Sequence, residues 1–324
     1  MKKVAAALLC AVITSGCAHS VSGTAGASPL QELTPEQQRH VHVEDALRAA
    51  DPCGLLDESV VRAAGTVQQY GSAVQLSVCS ALMARPEGAT TYVELSLLPS
   101  MLSDAALTRP DTVDGVTVYR GAGADLARGT CERVFRLNVG TGEEQVGRDA
   151  LATVRAGTVA GQDACPLADA VLESAIDRMR SGLPARDGTS AHQVALAVHD
   201  PCEVLDVLGT TAGGRVVDPE SPPTPFDCVL FPNPNRVPGS EVTVSFTMSP
   251  VKENRPSVPA EPETVGDRCR WTSPTGEPID ITRPGAGVDE FTRRLGHAGA
   301  VVTVHGPNCA AVARVADAAN TAFG

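Results

Sequence analysis

The chain has 324 residues, 43% hydrophobic and 20% charged, which is enough apolar content for two buried cores and too much for a disordered chain. A formal charge of −12 argues against nucleic acid, whose phosphates need a basic face, and against a polybasic grip on anionic lipid. Lys252 is the only lysine beyond Lys2 and Lys3; nearly all cationic groups are arginines.

Met1-Lys2-Lys3 is a positive start, and residues 4–13 form an apolar run too short to remain as a membrane span. Thr14-Ser15-Gly16-Cys17 follows at once, and the arrangement resembles a bacterial lipoprotein signal. It predicts a signal peptide over residues 1–17 that ends at Cys17, whose sulfur takes palmitate-type acyl chains. Secretion with cleavage after Ala25-Gly26-Ala27 is the rival, and it leaves a long stretch between apolar run and cut. Residues 18–33, rich in Ser, Gly, Thr and Ala, read as a flexible tether.

A first domain is expected over 34–180. Thr34-Pro35-Glu36-Gln37 makes a capping box for a helix whose apolar stripe is Val43, Ala46, Leu47 and Ala50. Asp51-Pro52-Cys53 starts a second helix, since Asp caps, Pro at the first helical position forfeits only an orphan N–H, and Cys lies on the first turn. Leu56, Val60, Ala63 and Ala64 continue it, and Gly65 ends it in a left-handed turn. Strands are predicted over 72–80, 91–97, 113–119, 131–139 and 150–155, with Val93, Leu95 and Leu97 on one face of the second. A helix from Cys165 closes the unit, with Ala168, Val171, Leu172, Ala175, Ile176 and Met179 on its stripe.

Residues 181–191 form a short linker, and a second domain is expected over 192–324. Asp200-Pro201-Cys202 repeats the helix start with Glu203 at the capping-box position and Val204, Leu205, Val207 and Leu208 behind it. Val242, Val244, Phe246 and Met248 alternate with Thr243, Ser245 and Thr247 as a half-buried strand. An extra helix is predicted within 286–296 around Phe291 and Leu295, a strand over 301–305, and a last helix from Cys309 capped by Asn308, with Val312, Val315, Ala316 and Ala319 inward.

Once Cys10 leaves with the leader and Cys17 takes lipid, eight cysteines divide evenly between the copies, and export permits disulfides. Four cysteines allow three pairings. First with second and third with fourth is favoured, because the first gap is the same in both copies while the middle gap changes most. This gives Cys53 with Cys79, Cys131 with Cys165, Cys202 with Cys228, and Cys269 with Cys309. The fold class is therefore α+β: two similar domains, each a mainly antiparallel sheet packed by helices and stapled by two disulfides.

The leader, Val21-Ser22-Gly23-Thr24 in the tether and the two Asp-Pro-Cys segments resemble a group of small actinobacterial lipoproteins with a domain of unknown function. That resemblance implies an envelope location and a compact α+β domain similar in outline to the extracellular sensor domains of some mycobacterial serine/threonine kinases. It carries no catalytic residue. Two domains in tandem depart from the single domain common in the group, as does Trp271, which follows the third cysteine of its copy and not the second.

His40 and His42 would face different sides of a helix and read as exposed histidines, with no acidic or cysteine cluster to complete a metal site. His199 and His305 sit at ordinary turn and strand-end positions. Gly121-Ala122-Gly123-Ala124-Asp125 and Gly140-Thr141-Gly142 lack the endings of phosphate or dinucleotide loops and read as turns. Asp111-Thr112-Val113-Asp114-Gly115 has too few acidic positions for a calcium loop, and there is no Gly-x-Ser-x-Gly elbow.

The sequence thus reads as a non-catalytic binding or sensing lipoprotein without cofactor, anchored through its N-terminal lipid to the outer face of the cell membrane. Its ligand would be a small apolar molecule, a cell-wall component or another envelope protein, with any cleft walled by inter-domain faces. An assembly partner and an envelope hydrolase are the alternatives. Cys17→Ser is expected to abolish incorporation of labelled palmitate and release the protein from membranes; labelling that survives the substitution refutes the lipidation site.

Overall fold

The computed structural model describes residues 33–85, 90–97, 110–120, 129–137, 139, 150–158, 162–186, 193–251, 261–288, 293–294 and 296–324. Cys17 and the tether up to residue 32, the two glycine turns near 121 and 140, and Phe291 and Leu295 lie outside these residues.

In the first domain Thr34 caps α1 (Pro35–Ala49) with the full capping box, its Oγ1 accepting from the Gln37 amide at 3.2 Å. Asp51 accepts from the Cys53 amide at 2.8 Å and starts α2 (Pro52–Leu55). The single helix expected beyond this point is two pieces. Asp57 caps a new helix, α3 (Glu58–Ala64), by accepting from the Ser59 amide at 2.8 Å, and the Leu56 carbonyl accepts the Tyr70 hydroxyl. Gly65, expected in a left-handed turn, is extended at φ 169°.

The strand predicted over 72–80 is displaced. β1 (Thr66–Gly71) and β2 (Val78–Ala84) flank a loop over 72–77, because Ala73 and Leu76 leave the first sheet to bury in the core of the second domain. β3 (Thr90–Ser96) keeps the predicted alternation, with Val93 and Leu95 fully buried. The strand predicted over 113–119 is a hairpin, β4 (Pro110–Val113) and β5 (Val116–Arg120), turning at Asp114-Gly115. Both turn residues have positive φ, 49° and 83°, the requirement of a type I′ turn. β6 (Thr130–Arg136), β7 (Leu151–Gly157) and α4 (Cys165–Met179) complete the unit, and α4 buries the predicted stripe.

In the second domain Asp200 accepts from the Cys202 amide at 2.8 Å, and Glu203 closes the capping box. The helix is short: a 3₁₀ turn at Pro201–Glu203 leads to α5 (Val204–Leu208), on which Val207 is exposed, against expectation, while Val204, Leu205 and Leu208 are buried. β8 (Gly214–Arg215), β9 (Asp227–Phe231), β10 (Val242–Pro250), β11 (Glu263–Val265), β12 (Arg268–Asp280) and β13 (His297–Gly306) precede α6 (Cys309–Phe323), capped by Asn308.

The first sheet has the order β1-β2-β3-β7-β6-β5-β4 and the second β8-β9-β10-β13-β12-β11, with every pair antiparallel. Position by position the two are the same sheet, except that the first carries β4 at its far edge. In each copy the last strand inserts beside the third, and the closing helix packs on the sheet. The disulfides repeat the correspondence: Cys53 to Cys79 and Cys202 to Cys228 tie the Asp-Pro-Cys turn to the second strand. Cys131 to Cys165 and Cys269 to Cys309 tie a strand to the first residue of the closing helix. Closing a loop of 26 residues is worth about 3–4 kcal/mol on the chain-entropy account, equally in both copies.

Asp57 joins α3 to α4: besides capping α3 it receives Arg178 at 2.7 Å and the Ser174 hydroxyl at 3.3 Å. Burial would raise its carboxyl pKa, but hydrogen bonds from Arg178 and Ser59 outweigh that and hold it well below the ordinary range. A depressed folded pKa contributes stability that is present above the unfolded value, about 3.9, and lost as pH falls through the folded one. Asp57→Asn, which keeps a capping oxygen, is therefore expected to be less stable than the native chain at pH 7, with the difference in urea midpoint shrinking below about pH 4. A pH-independent difference refutes the charge contribution.

Candidate functional site

Among the described residues, two of the places where the domains meet are the polar face of α1 and the outer edge of β1. Along α1, Gln37, His40, Glu44 and Arg48 recur at three- and four-residue spacing and form a polar face beside the apolar stripe, with all but the half-buried Gln37 buried. Val43 and Leu47 enter the first core, whereas the polar face meets the second domain at β8 and the loop before β9. Glu44, with a side chain only 5% exposed, pairs with Arg215 and accepts from the Thr224 amide at 2.9 Å. Gln37 donates to the Val217 carbonyl at 2.9 Å, and Arg48 to the Pro225 carbonyl at 2.9 Å and to Asp200 at 3.2 Å. Burial, more than any neighbouring charge, raises the Asp45 carboxyl beside Arg48 above its usual range.

The second domain answers at the outer edge of β1. The Tyr70 amide donates to the Ile281 carbonyl at 3.0 Å and the Arg283 amide to the Gln68 carbonyl at 2.8 Å, so the segment after β12 covers an edge that would otherwise present unpaired backbone. Gly296 permits this approach: a Cβ there would lie 2.6 Å from Gln69 Nε2 and 2.7 Å from Thr282 Oγ1.

Between these contacts runs the connection from α4. The Asp51 amide donates to the Pro184 carbonyl at 2.7 Å, Ala185 bridges Ala50, and Arg186 is buried. Arg186 donates from Nε to the Arg48 carbonyl at 2.9 Å and from Nη2 to the Leu76 carbonyl at 2.5 Å, with its guanidinium 5.5 Å from the Phe226 ring centre. Burial pulls its pKa down to about 10. Residues 184–186 of the predicted linker are thus stitched into the junction.

A pocket of about 590 Å³ opens beside the β1 contact. Arg62, Gly65, Thr66 and Val67 line it from the first domain, and Arg283, Pro284, Gly285 and Ala286 from the second. Glu58 stands between its two cations, 2.9 Å from Arg62 and 2.7 Å from Arg283. The Arg283 guanidinium lies 5.5 Å from the Tyr70 ring centre, and burial raises the pKa of that phenol, so it remains protonated. A smaller pocket of about 220 Å³ beside the α1 contact is lined by Leu33, Gln37, Gly214, Arg215, Val216, Val217, Phe231 and Arg236.

Of the histidines singled out in the sequence, His42 is exposed but His40 is buried, 3.5 Å from Glu44, because its helix face meets the second domain instead of water. His199 Nδ1 lies 3.1 Å from Glu203, and burial lowers the pKa of His305 at the end of β13. Among the described residues no three potential metal ligands converge. Asp111 to Gly115 form the β4–β5 hairpin. Sequence reasoning singled out none of Glu44, Arg48, Arg186, Arg215, Arg62 or Arg283. The available signal was the periodic recurrence of polar residues along α1 beside its apolar stripe.

Removing one partner of a buried ion pair strands the other in low dielectric. Arg215→Met is expected to destabilise the chain by roughly 3–5 kcal/mol in denaturant unfolding, and Glu44→Gln combined with it to recover much of the loss. Equal losses in the single and double variants contradict a coupled pair. No family model matches this chain, and no curated protein or solved structure does either.

Proposed function

We propose that this protein is a lipid-anchored, extracytoplasmic binding or sensing lipoprotein of the bacterial cell envelope, and that it takes its ligand at the junction of its two domains. The carrying observation is the 590 Å³ pocket, whose walls come from both domains, so that a bound molecule touches both at once. The volume lies in the range of ordinary small-ligand sites. The lipoprotein-like leader and the resemblance to actinobacterial envelope lipoproteins support the location, and the acidic charge supports a partner other than nucleic acid.

The role in this reading is binding: the pocket offers guanidinium groups, a threonine and glycine backbone, a set suited to holding a molecule. A ligand bridging Thr66 and Arg283 would favour the closed junction over any opened one, which is how binding at this place would be sensed.

Native mass spectrometry of the protein extracted from its own membrane tests the reading. A stoichiometric co-purifying small molecule, lost from an Ala286→Trp variant that fills the pocket, is the expected result. Protein free of bound molecules after several gentle extractions, but crosslinked to one envelope protein, favours the assembly role instead.

A further inference from the structure

The charge of this pocket names a ligand class. Resting on the reading above, we propose that the junction pocket binds a small organic anion: a carboxylate, sulfonate or phosphate head on an apolar body. Arg62 and Arg283 come from different domains and converge on one carboxylate, Glu58, so among the described residues of this cluster two cations share one anion and one positive charge is in excess. Among the described residues Asp57, the next carboxylate along the chain from Glu58, is committed to Arg178 at 2.7 Å. Tyr70 shares its hydroxyl between the Cys53 and Leu56 carbonyls and stays neutral, so it adds no opposing charge.

Arg283 is preorganised. Its amide is fixed to β1, its guanidinium lies by the Tyr70 ring, and its Nε is buried without a partner. Arg62, with a side chain 64% exposed, is free to swing from Glu58 to an incoming anion. Guanidinium forks match planar or tetrahedral oxyanions, and hydrogen bonds to a charged partner are among the strong ones. Val67, Pro284 and Ala286 add an apolar wall, and at Gly285, where φ is 75°, nothing lies within 4 Å of the Cβ position. An inorganic ion would leave most of the 590 Å³ unfilled, and a neutral body would leave the surplus charge unanswered.

The test is titration of the full chain with two fluorescent probes that share a ring system, anionic anilinonaphthalene sulfonate and neutral phenylnaphthylamine. The sulfonate is expected to bind saturably at one site. Arg62→Gln and Arg283→Gln should each weaken it by about tenfold, the factor set by one charge-assisted hydrogen bond, and leave phenylnaphthylamine binding unchanged. Arg62→Gln removes an exposed side chain, so it reports even if Arg283→Gln loosens the junction. Ala286→Trp should block the sulfonate. Dodecyl phosphate below its micelle concentration should displace the sulfonate where inorganic phosphate at equal concentration does not; equal displacement overturns the apolar half of the assignment. Sulfonate and neutral probe responding alike in every variant overturns anion recognition while the pocket stands. Neither probe binding the native chain, or Ala286→Trp leaving the sulfonate unaffected, removes the pocket itself.

Discussion

Glu44 is a carboxylate removed from water between two domains, and such a group is tolerated only when its oxygens are used. One oxygen accepts from the Thr224 amide, and the other takes the Arg215 guanidinium. Both partners belong to the second domain, whereas Glu44 sits on a helix whose apolar stripe is locked into the first core. Separating the domains would strand these charges or require them to be resolvated together with Arg48 and Arg186. The junction is therefore specified in direction as well as in contact: apolar burial alone would tolerate sliding, but a fork of hydrogen bonds does not.

The same logic holds at the opposite end of the contact. β1 is an edge strand, and the segment after β12 of the other domain answers two of its backbone groups. α1 covers the β8 edge of the second sheet in return. Each domain thus protects the first strand of the other, which gives a duplicated unit a physical reason to remain in tandem. Loop 72–77 strengthens the exchange, because Ala73 and Leu76 are part of the second core. The two pockets flank these two contacts, so a ligand in either would sit where the halves are joined most directly. On the proposed reading, binding energy there would add to the free energy of the closed junction, the ordinary route by which occupancy becomes a change in domain arrangement.

Duplication is clearest in the sulfurs. The Asp-Pro-Cys turn reaches the second strand in both copies across the same sequence separation, while the longer middle gap of the first copy contains the β4–β5 hairpin, whose outer strand has no counterpart among the described residues of the second. The bridges staple helix to sheet at equivalent points, and the hydrophobic faces do the rest. Function, on the reading proposed here, lies where the copies differ: the β1 edge of one faces the post-β12 segment of the other, and only that pairing brings Arg62 and Arg283 to one carboxylate.

What the sequence by itself determined was local and repetitive. Capping boxes at Thr34 and Asp200, the stripes of α4 and α6, the alternation in β3 and β10 and the doubled cysteine pattern are properties of neighbouring residues or of simple periods, which propensity and burial read directly. The break at Asp57, the loop over 72–77 and the burial of His40, Glu44 and Arg48 were decided by tertiary structure, because each depends on a partner far along the chain: Arg178, the second core, Arg215 and Asp200. A polar residue on a helix looks solvated until another domain arrives to desolvate and pair it. For the same reason the two arginines of the pocket carried no signal in sequence: their meaning comes from convergence across more than two hundred residues, which no local pattern encodes.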